Sequence, residues 1–125
     1  MAETETKQEK LVLMLKELRK VSDIEGSAAV SRDGLIIAAD LSKDVDEETF
    51  AAMSATMLGA AETATTELGK GIPQRIIVES ENGKLIATGA GQKALLVVMT
   101  EPDAALGLIL IEVTKASEKI KEVLG

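Results

Sequence analysis

The sequence contains neither cysteine nor histidine. Without cysteine, the chain has no disulfide, no thiolate metal ligand and no cysteine nucleophile. Without histidine, it lacks the most frequent general base of enzymes and the most frequent metal ligand of proteins. The motifs GxxxxGK[ST], GxSxG and HExxH are also absent from the sequence. These absences argue against an enzyme, and we predict no catalytic residue, no metal site and no cofactor.

Aromatic residues are almost missing as well, because Phe50 is the only one. One ring cannot form the stacking surface of a single-strand-binding protein or an aromatic-lined ligand pocket. The net charge of −7 repels phosphate backbones. No segment approaches the roughly 18 apolar residues of a membrane span, and the acidic segment Met1–Glu5 is unlike a signal peptide. We therefore expect a cytoplasmic protein that has no membrane span and does not bind nucleic acid.

The 125 residues are expected to form a single domain over residues 1–125, with a flexible N-terminus at 1–5. Apolar residues at helical spacing predict helices at about 6–21, 44–68 and 105–125. Thr6 with Glu9 forms a capping box for the first helix, and Asp103 is predicted to cap the last. Short apolar segments between turns predict five strands, at 27–31, 35–39, 74–79, 84–88 and 94–100. The order αββαβββα predicts an α/β (α+β) sandwich in which three helices cover a mostly antiparallel, five-stranded sheet.

Four short features are interpreted as structural rather than functional. Asp33-Gly34 and Asn82-Gly83 favour hairpin turns, because glycine tolerates positive φ. The glycine-containing segment 89–93 lies between two strands, so a hairpin turn is favoured over a phosphate site. The acidic residues at 44–48 lack the spacing of a calcium-binding loop. They are expected to cap the middle helix and to interact favourably with its dipole.

The middle helix is the most informative element, because Glu62 and Glu67 are its only charges between Phe50 and Gly69. A surface helix normally has one apolar face and one charged face. Here the residues outside the apolar stripe are small or weakly polar, which is typical of an interface. The helix is either well buried in a monomer or packed against its own copy across a twofold axis, and we favour the second arrangement. Both of its faces are candidates for the contact with the sheet.

The strand after the middle helix is the second candidate contact. At a sheet edge, its free backbone groups would pair with another strand. Pro73, Arg75 and Glu79 could instead protect such an edge, but we favour pairing. The predicted dimer interface consists of Phe50, Met53, Met57, Ala60, Ala64, Gln74, Arg75, Ile76, Ile77, Val78 and Glu79.

From Lys10 to Leu124, the sequence resembles the roadblock/dynein light chain domain, whose fold is similar to those of profilin and longin. The matching segments are the hairpin Gly26–Ile36, the Ala- and Met-rich middle helix, the strand Arg75–Glu79, and Leu106–Leu108 at the start of the last helix. This combination resembles the prokaryotic members, which include bacterial co-regulators of gliding-motility GTPases.

The resemblance implies a function that acts through contact. Family members form homodimers or heterodimers with a sheet continuous across the interface and with paired middle helices. They bind Ras-like small GTPases and do not hydrolyse nucleotide. A non-catalytic homodimeric regulator or scaffold is therefore expected, with a structural dimerisation subunit or a small-ligand sensor of profilin-like shape as alternatives. The expected partner-facing positions of the helix are Ser54, Thr56, Thr63 and Glu67.

Overall fold

The computed structural model describes residues 5–21 and 23–125, so most of the predicted flexible N-terminus lies outside the described residues. The predicted order of elements is confirmed. The elements are α1 (Lys7–Arg19), β1 (Ile24–Ser31), β2 (Ile36–Asp40), α2 (Glu47–Glu67), β3 (Arg75–Ser80), β4 (Gly83–Ala90), β5 (Ala94–Thr100) and α3 (Leu106–Leu124).

The five strands form one antiparallel sheet in the order β2-β1-β5-β4-β3. The apolar strand β5 is central, as its uninterrupted apolar run predicts, and helices cover both of its faces. Leu96 and Val98 pack into the cluster beneath α1 and α3, whereas Leu95 and Val97 pack into the cluster beneath α2. The two edges of the sheet are therefore β2 and β3.

The two faces of the sheet are covered unequally. On one face, α1 and α3 together contribute Leu11, Leu15, Ile109 and Ile120 to the larger core cluster. On the other face, α2 is alone and contributes few fully buried residues, among them Leu58. The remaining apolar residues of that second cluster are only half-buried: Ile36, Ala39, Leu41, Phe50, Met57, Ile76 and Leu85. The α2 side of the molecule therefore keeps accessible apolar surface.

The helix caps agree with the sequence at two ends and differ at one. Thr6 and Glu9 form the predicted reciprocal capping box of α1. Asp46 caps α2 by accepting a hydrogen bond from the Thr49 N–H at 3.3 Å. The prediction that Asp103 caps α3 is wrong, because Ala105 occupies the N-cap without a side-chain hydrogen bond.

The glycines at two hairpins have different roles. Gly34 has a φ of 90°, as expected for the turn between β1 and β2. Gly83 does not have positive φ; it begins β4 and follows the two-residue turn Glu81-Asn82. A Cβ atom at Gly83 would lie 2.6 Å from the Thr100 carbonyl oxygen. Glycine is therefore required there by the close approach of β5.

Within residues 5–21 and 23–125, none of the helices combines the length and apolar character needed to cross a membrane. In the same part of the chain, carboxylates do not gather into a group of three that could hold a metal ion.

Candidate interaction surface

One narrow stripe of α2 contacts the sheet. Ala51, Ser54 and Leu58 are 0%, 3% and 2% exposed, and their spacing of three and four residues places them on one helical face. The expectation that Ser54 faces a partner is wrong, because this side chain lies between helix and sheet. The long apolar stripe of α2 is therefore turned away from the centre of the sheet.

That stripe forms one flank of α2, which we call the apolar flank. It consists of Phe50, Met53, Met57, Ala60 and Ala64. Phe50 and Met57 are half-buried and pack onto the cluster that includes Ile76 and Leu85. Met53 is 58% exposed, and Ala60 and Ala64 are also exposed. The apolar flank is thus continuous with half-buried apolar side chains of β3 and β4, so a single surface combines helix and sheet.

The opposite flank of α2 is occupied by the chain itself. The Arg32 guanidinium lies 3.2 Å from the Glu62 carboxylate and donates a second hydrogen bond, of 2.8 Å, to the Gly91 carbonyl. Ala55 lies beside Gly34 at the same end of the sheet. These contacts hold α2 against the turns β1–β2 and β4–β5. The apolar flank is consequently the side of the helix without such ties.

Between the two flanks lies the outer face of α2, which includes Thr56, Thr63 and Glu67, all exposed. The Thr56 hydroxyl donates to the Ala52 carbonyl at 2.8 Å and is therefore satisfied within the helix. The outer face is polar but carries little charge, as the sequence predicts.

The backbone of β3 has one free side. In an antiparallel sheet, successive residues of a strand bond alternately to its two neighbours. The Ser31 N–H donates to the Leu35 carbonyl, so the backbone groups of Ser31 are directed towards β2. Two residues opposite each other on neighbouring strands direct their groups either towards each other or apart. The registers therefore give the direction of each residue in turn through β1, β5 and β4 to β3. Three residues of β3 consequently direct their N–H and C=O groups away from β4: Arg75, Ile77 and Glu79.

The two edges of the sheet differ in protection. At β2, the side chain of Gln8 donates to the Ile37 carbonyl at 3.4 Å. Arg19 donates to the Asp40 carbonyl at 3.2 Å and pairs with the Asp40 carboxylate at 2.7 Å. At β3, no side chain of the described residues bonds to the outward-directed backbone groups of residues 75, 77 and 79. Because Asp40 pairs with Ser27, its carbonyl is directed towards β1, and the Gln8 bond is the contact that covers an edge group of β2. The three outward-directed residues of β3 lack such a contact from the described residues, so this edge is available for pairing.

The side chain of Arg75 lies beside this free edge. Its Nη2 atom is 3.4 Å from the Thr114 hydroxyl, and its buried Nε has no hydrogen-bond acceptor within the described part of the chain. It lines an open cleft of about 440 Å³ between the end of α2, the start of β3 and α3. Glu62 and Glu118 line the same cleft, but Arg75 forms no ion pair with a carboxylate of the described residues.

The structure gathers the predicted interface residues along the β3 edge, but on two faces of the sheet. Ile76 and Val78 share the α2 face with the apolar flank, whereas the side chains of Arg75, Ile77 and Glu79 lie on the face covered by α1 and α3. Gln74 is not part of the β3 edge, because it precedes the strand. Its carbonyl accepts a hydrogen bond from the Thr88 hydroxyl at 2.9 Å.

The pairing of Arg32 with Glu62 and the bond from Gln8 to the Ile37 carbonyl of β2 were not predicted from the sequence. The isolated charge of Glu62 in an otherwise uncharged stretch of helix was the available signal for the first contact.

The chain is similar in sequence to known proteins. The sequence matches the Roadblock/LC7 domain over residues 10–100. An uncharacterized protein of Methanocaldococcus jannaschii is 43% identical over 108 residues, which cover 86% of this chain and 94% of that protein.

Two solved structures are similar in fold. The gliding protein MglB of Thermus thermophilus is 23% identical, with a TM-score of 0.84, over 94% of this chain and 90% of that chain. MglB of Myxococcus xanthus is 21% identical, with a TM-score of 0.87, over 92% and 94% of the two chains. At these identities, the likeness establishes the fold.

Proposed function

This chain belongs to the Roadblock/LC7 domain family, and we propose that it is a non-catalytic homodimeric regulator or scaffold that binds a Ras-like small GTPase. The family resemblance implies this role. One observation in the structure carries the dimer: no side chain of the described residues bonds to the outward-directed backbone groups of β3, whereas Gln8 bonds to the Ile37 carbonyl at the β2 edge. A free edge of this kind favours pairing with another strand.

The dimer that we propose joins the β3 strands of two copies in antiparallel orientation. Such pairing makes one continuous sheet and is self-complementary, as a twofold interface must be. Both α2 helices then lie on the same face of that sheet, beside the junction. The apolar flank of each helix would meet the other copy, and this contact would bury Met53 and further cover Phe50 and Met57.

The GTPase is proposed to bind the outer faces of the two α2 helices. Thr56, Thr63 and Glu67 point away from both the sheet and the apolar flank, so they stay accessible in the dimer. Their side chains carry little charge, and few ions would lose their hydration when a partner binds. Arg19 and Arg32 are held in ion pairs with Asp40 and Glu62, and Arg75 lies at the proposed β3 junction rather than on the outer face of α2. This arrangement supports regulation by binding rather than by insertion of a catalytic arginine.

Two measurements on the purified chain test the proposal. Light scattering should give a mass of about twice 13.1 kDa. Immobilised protein should capture a small GTPase of the same genome, and the amount captured should depend on whether GDP or a GTP analogue is bound. A monomer at micromolar concentration would contradict the dimer. A dimer that captures no GTPase in either nucleotide state would favour the alternative of a structural dimerisation subunit.

A further inference from the structure

We infer that Arg75 and Glu79 form reciprocal ion pairs between two copies of the chain and thereby set the register of β3 pairing. This inference rests on the proposed dimer and names the residues by which one copy selects another. It assigns the missing acidic partner of Arg75 to the second copy.

The β3 edge carries two charged residues of opposite sign, Arg75 and Glu79. Arg75 forms no ion pair within residues 5–21 and 23–125, and its only side-chain hydrogen bond there is the long one to Thr114. Glu79 is exposed and also lacks an ion-pair partner in the described part of the chain. The two residues lie at equal distances along the strand on either side of Ile77. The edge therefore has opposite charges placed symmetrically about one residue.

Arg75 and Glu79 also have matching orientations in the strand. Arg75, Ile77 and Glu79 all direct their backbone groups outward, and their side chains lie on the same face of the sheet. With a twofold axis at Ile77, each of these residues pairs with an outward-directed residue of the other copy. Arg75 then lies directly opposite Glu79 of the second copy, at the Cβ separation of about 4.5–5.5 Å that cross-strand partners have.

Other twofold registers are less favourable. An axis at Arg75 would place two arginines opposite each other, and an axis at Glu79 would place two glutamates opposite each other. Like charges in directly opposite positions destabilise strand pairing. An axis at Ile76 would place Glu79 opposite a residue outside β3 of the second copy, and an axis at Val78 would do the same to Arg75. Only the axis at Ile77 pairs all outward-directed residues and opposes unlike charges.

The same register also matches the apolar side chains. On the α2 face, Ile76 lies opposite Val78 of the second copy. These two side chains are half-buried in the single chain, and Ile76 packs onto the same cluster as Phe50 and Met57 of the apolar flank. Apolar pairing on one face and ion pairing on the other are therefore satisfied by one axis.

Charge-reversal variants test this inference. E79R places two arginines opposite each other across the junction, and R75E places two glutamates opposite each other. Each single variant should therefore dimerise on the order of tenfold to a hundredfold more weakly than the wild type. The doubly exchanged variant R75E/E79R should regain the wild-type affinity. A mixture of the R75E and E79R variants should form a heterodimer, because unlike charges then face each other at both positions across the edge. Affinities are measured by sedimentation velocity, and the heterodimer by native mass spectrometry.

Controls separate this inference from the proposed dimer. E122R changes the charge by the same amount on exposed α3 surface and should leave the dimer affinity unchanged. Circular dichroism and thermal unfolding establish that each variant is folded. If the wild type is dimeric but E79R is not weakened, or the exchanged variant stays weak, the register is wrong and the dimer stands. If the wild type is monomeric, the proposed function itself fails.

Discussion

At the scale of single residues, Glu101 is placed unfavourably for its charge. The Glu25 carboxylate repels it and shares a hydrogen bond with it, and Asp23 and Asp103 add repulsion, so the pKa of Glu101 is raised above its ordinary value of 4.5. A raised carboxyl pKa means that the folded state binds a proton more readily than the unfolded state. This repulsion therefore destabilises the fold at neutral pH and is relieved as the pH falls through the raised pKa.

Glu101→Gln removes this repulsion, so we predict a higher melting temperature than that of the wild type at pH 7. The difference should shrink as the pH approaches 4.5, because protonation then relieves the same repulsion in the wild type. It should also shrink in high salt, since the group is exposed. Thermal unfolding at several pH values measures the effect. The control Glu122→Gln should show no comparable gain, and a gain for Glu101→Gln that is equally large at about pH 4 would contradict the assignment.

At the scale of elements, β3 can be tested through one backbone group. Ile77→Pro removes an N–H that points away from β4, so the β3–β4 hydrogen bonds stay intact while pairing with a second copy loses a donor at its centre. We predict that light scattering will show mainly monomer. Ile77→Ala is the matched control, because it loses the same half-buried side chain, about 1 kcal/mol of burial, but keeps the N–H. The control should stay dimeric; equal dimerisation of both variants would place the interface elsewhere.

The elements themselves were largely predictable, because their signals are local. Strand β5 and the Thr6 capping box follow from residues close together in sequence, and the structure confirms both. The cap of α3 was not predictable in the same way. Asp103 is a suitable capping residue, but the chain places Ala105 at the N-cap. A local preference does not determine where a turn ends when tertiary packing positions the helix.

The candidate site was predictable in composition but only partly in orientation. The unusual lack of charge in α2 indicated an interface, and the structure places the apolar flank beside the sheet edge that was expected to pair. Ser54 shows the limit of periodicity. Small polar residues fit equally well against a sheet or against a partner, so the sequence of α2 does not distinguish its inner stripe from its outer face. The orientation is seen only in contacts between residues distant in sequence: the burial of Leu58 against the sheet and the tie from Arg32 to Glu62.

At the scale of the whole molecule, the core, the proposed dimer contact and the proposed GTPase contact lie on three different parts of the sandwich. The face covered by α1 and α3 holds most of the buried core. In the proposed assembly, the β3 edge and apolar flank contact a second copy, and the outer face of α2 binds a GTPase. Because α2 covers its side of the sheet alone, its flank and outer face are both accessible from solvent. One helix can therefore contact its own copy and a different protein with different side chains.

This separation predicts that dimerisation and GTPase capture can be lost independently. Ala60→Glu introduces a charge into the apolar flank, so its mass by light scattering should fall to that of one chain. Ala52→Glu makes the same change at an exposed position away from the apolar flank and should stay dimeric. Thr63→Arg alters only the outer face, so it should remain a dimer but capture much less GTPase than the wild type does. If Thr63→Arg dissociates the dimer, or Ala60→Glu stays dimeric, the flank and the outer face have been assigned to the wrong partners.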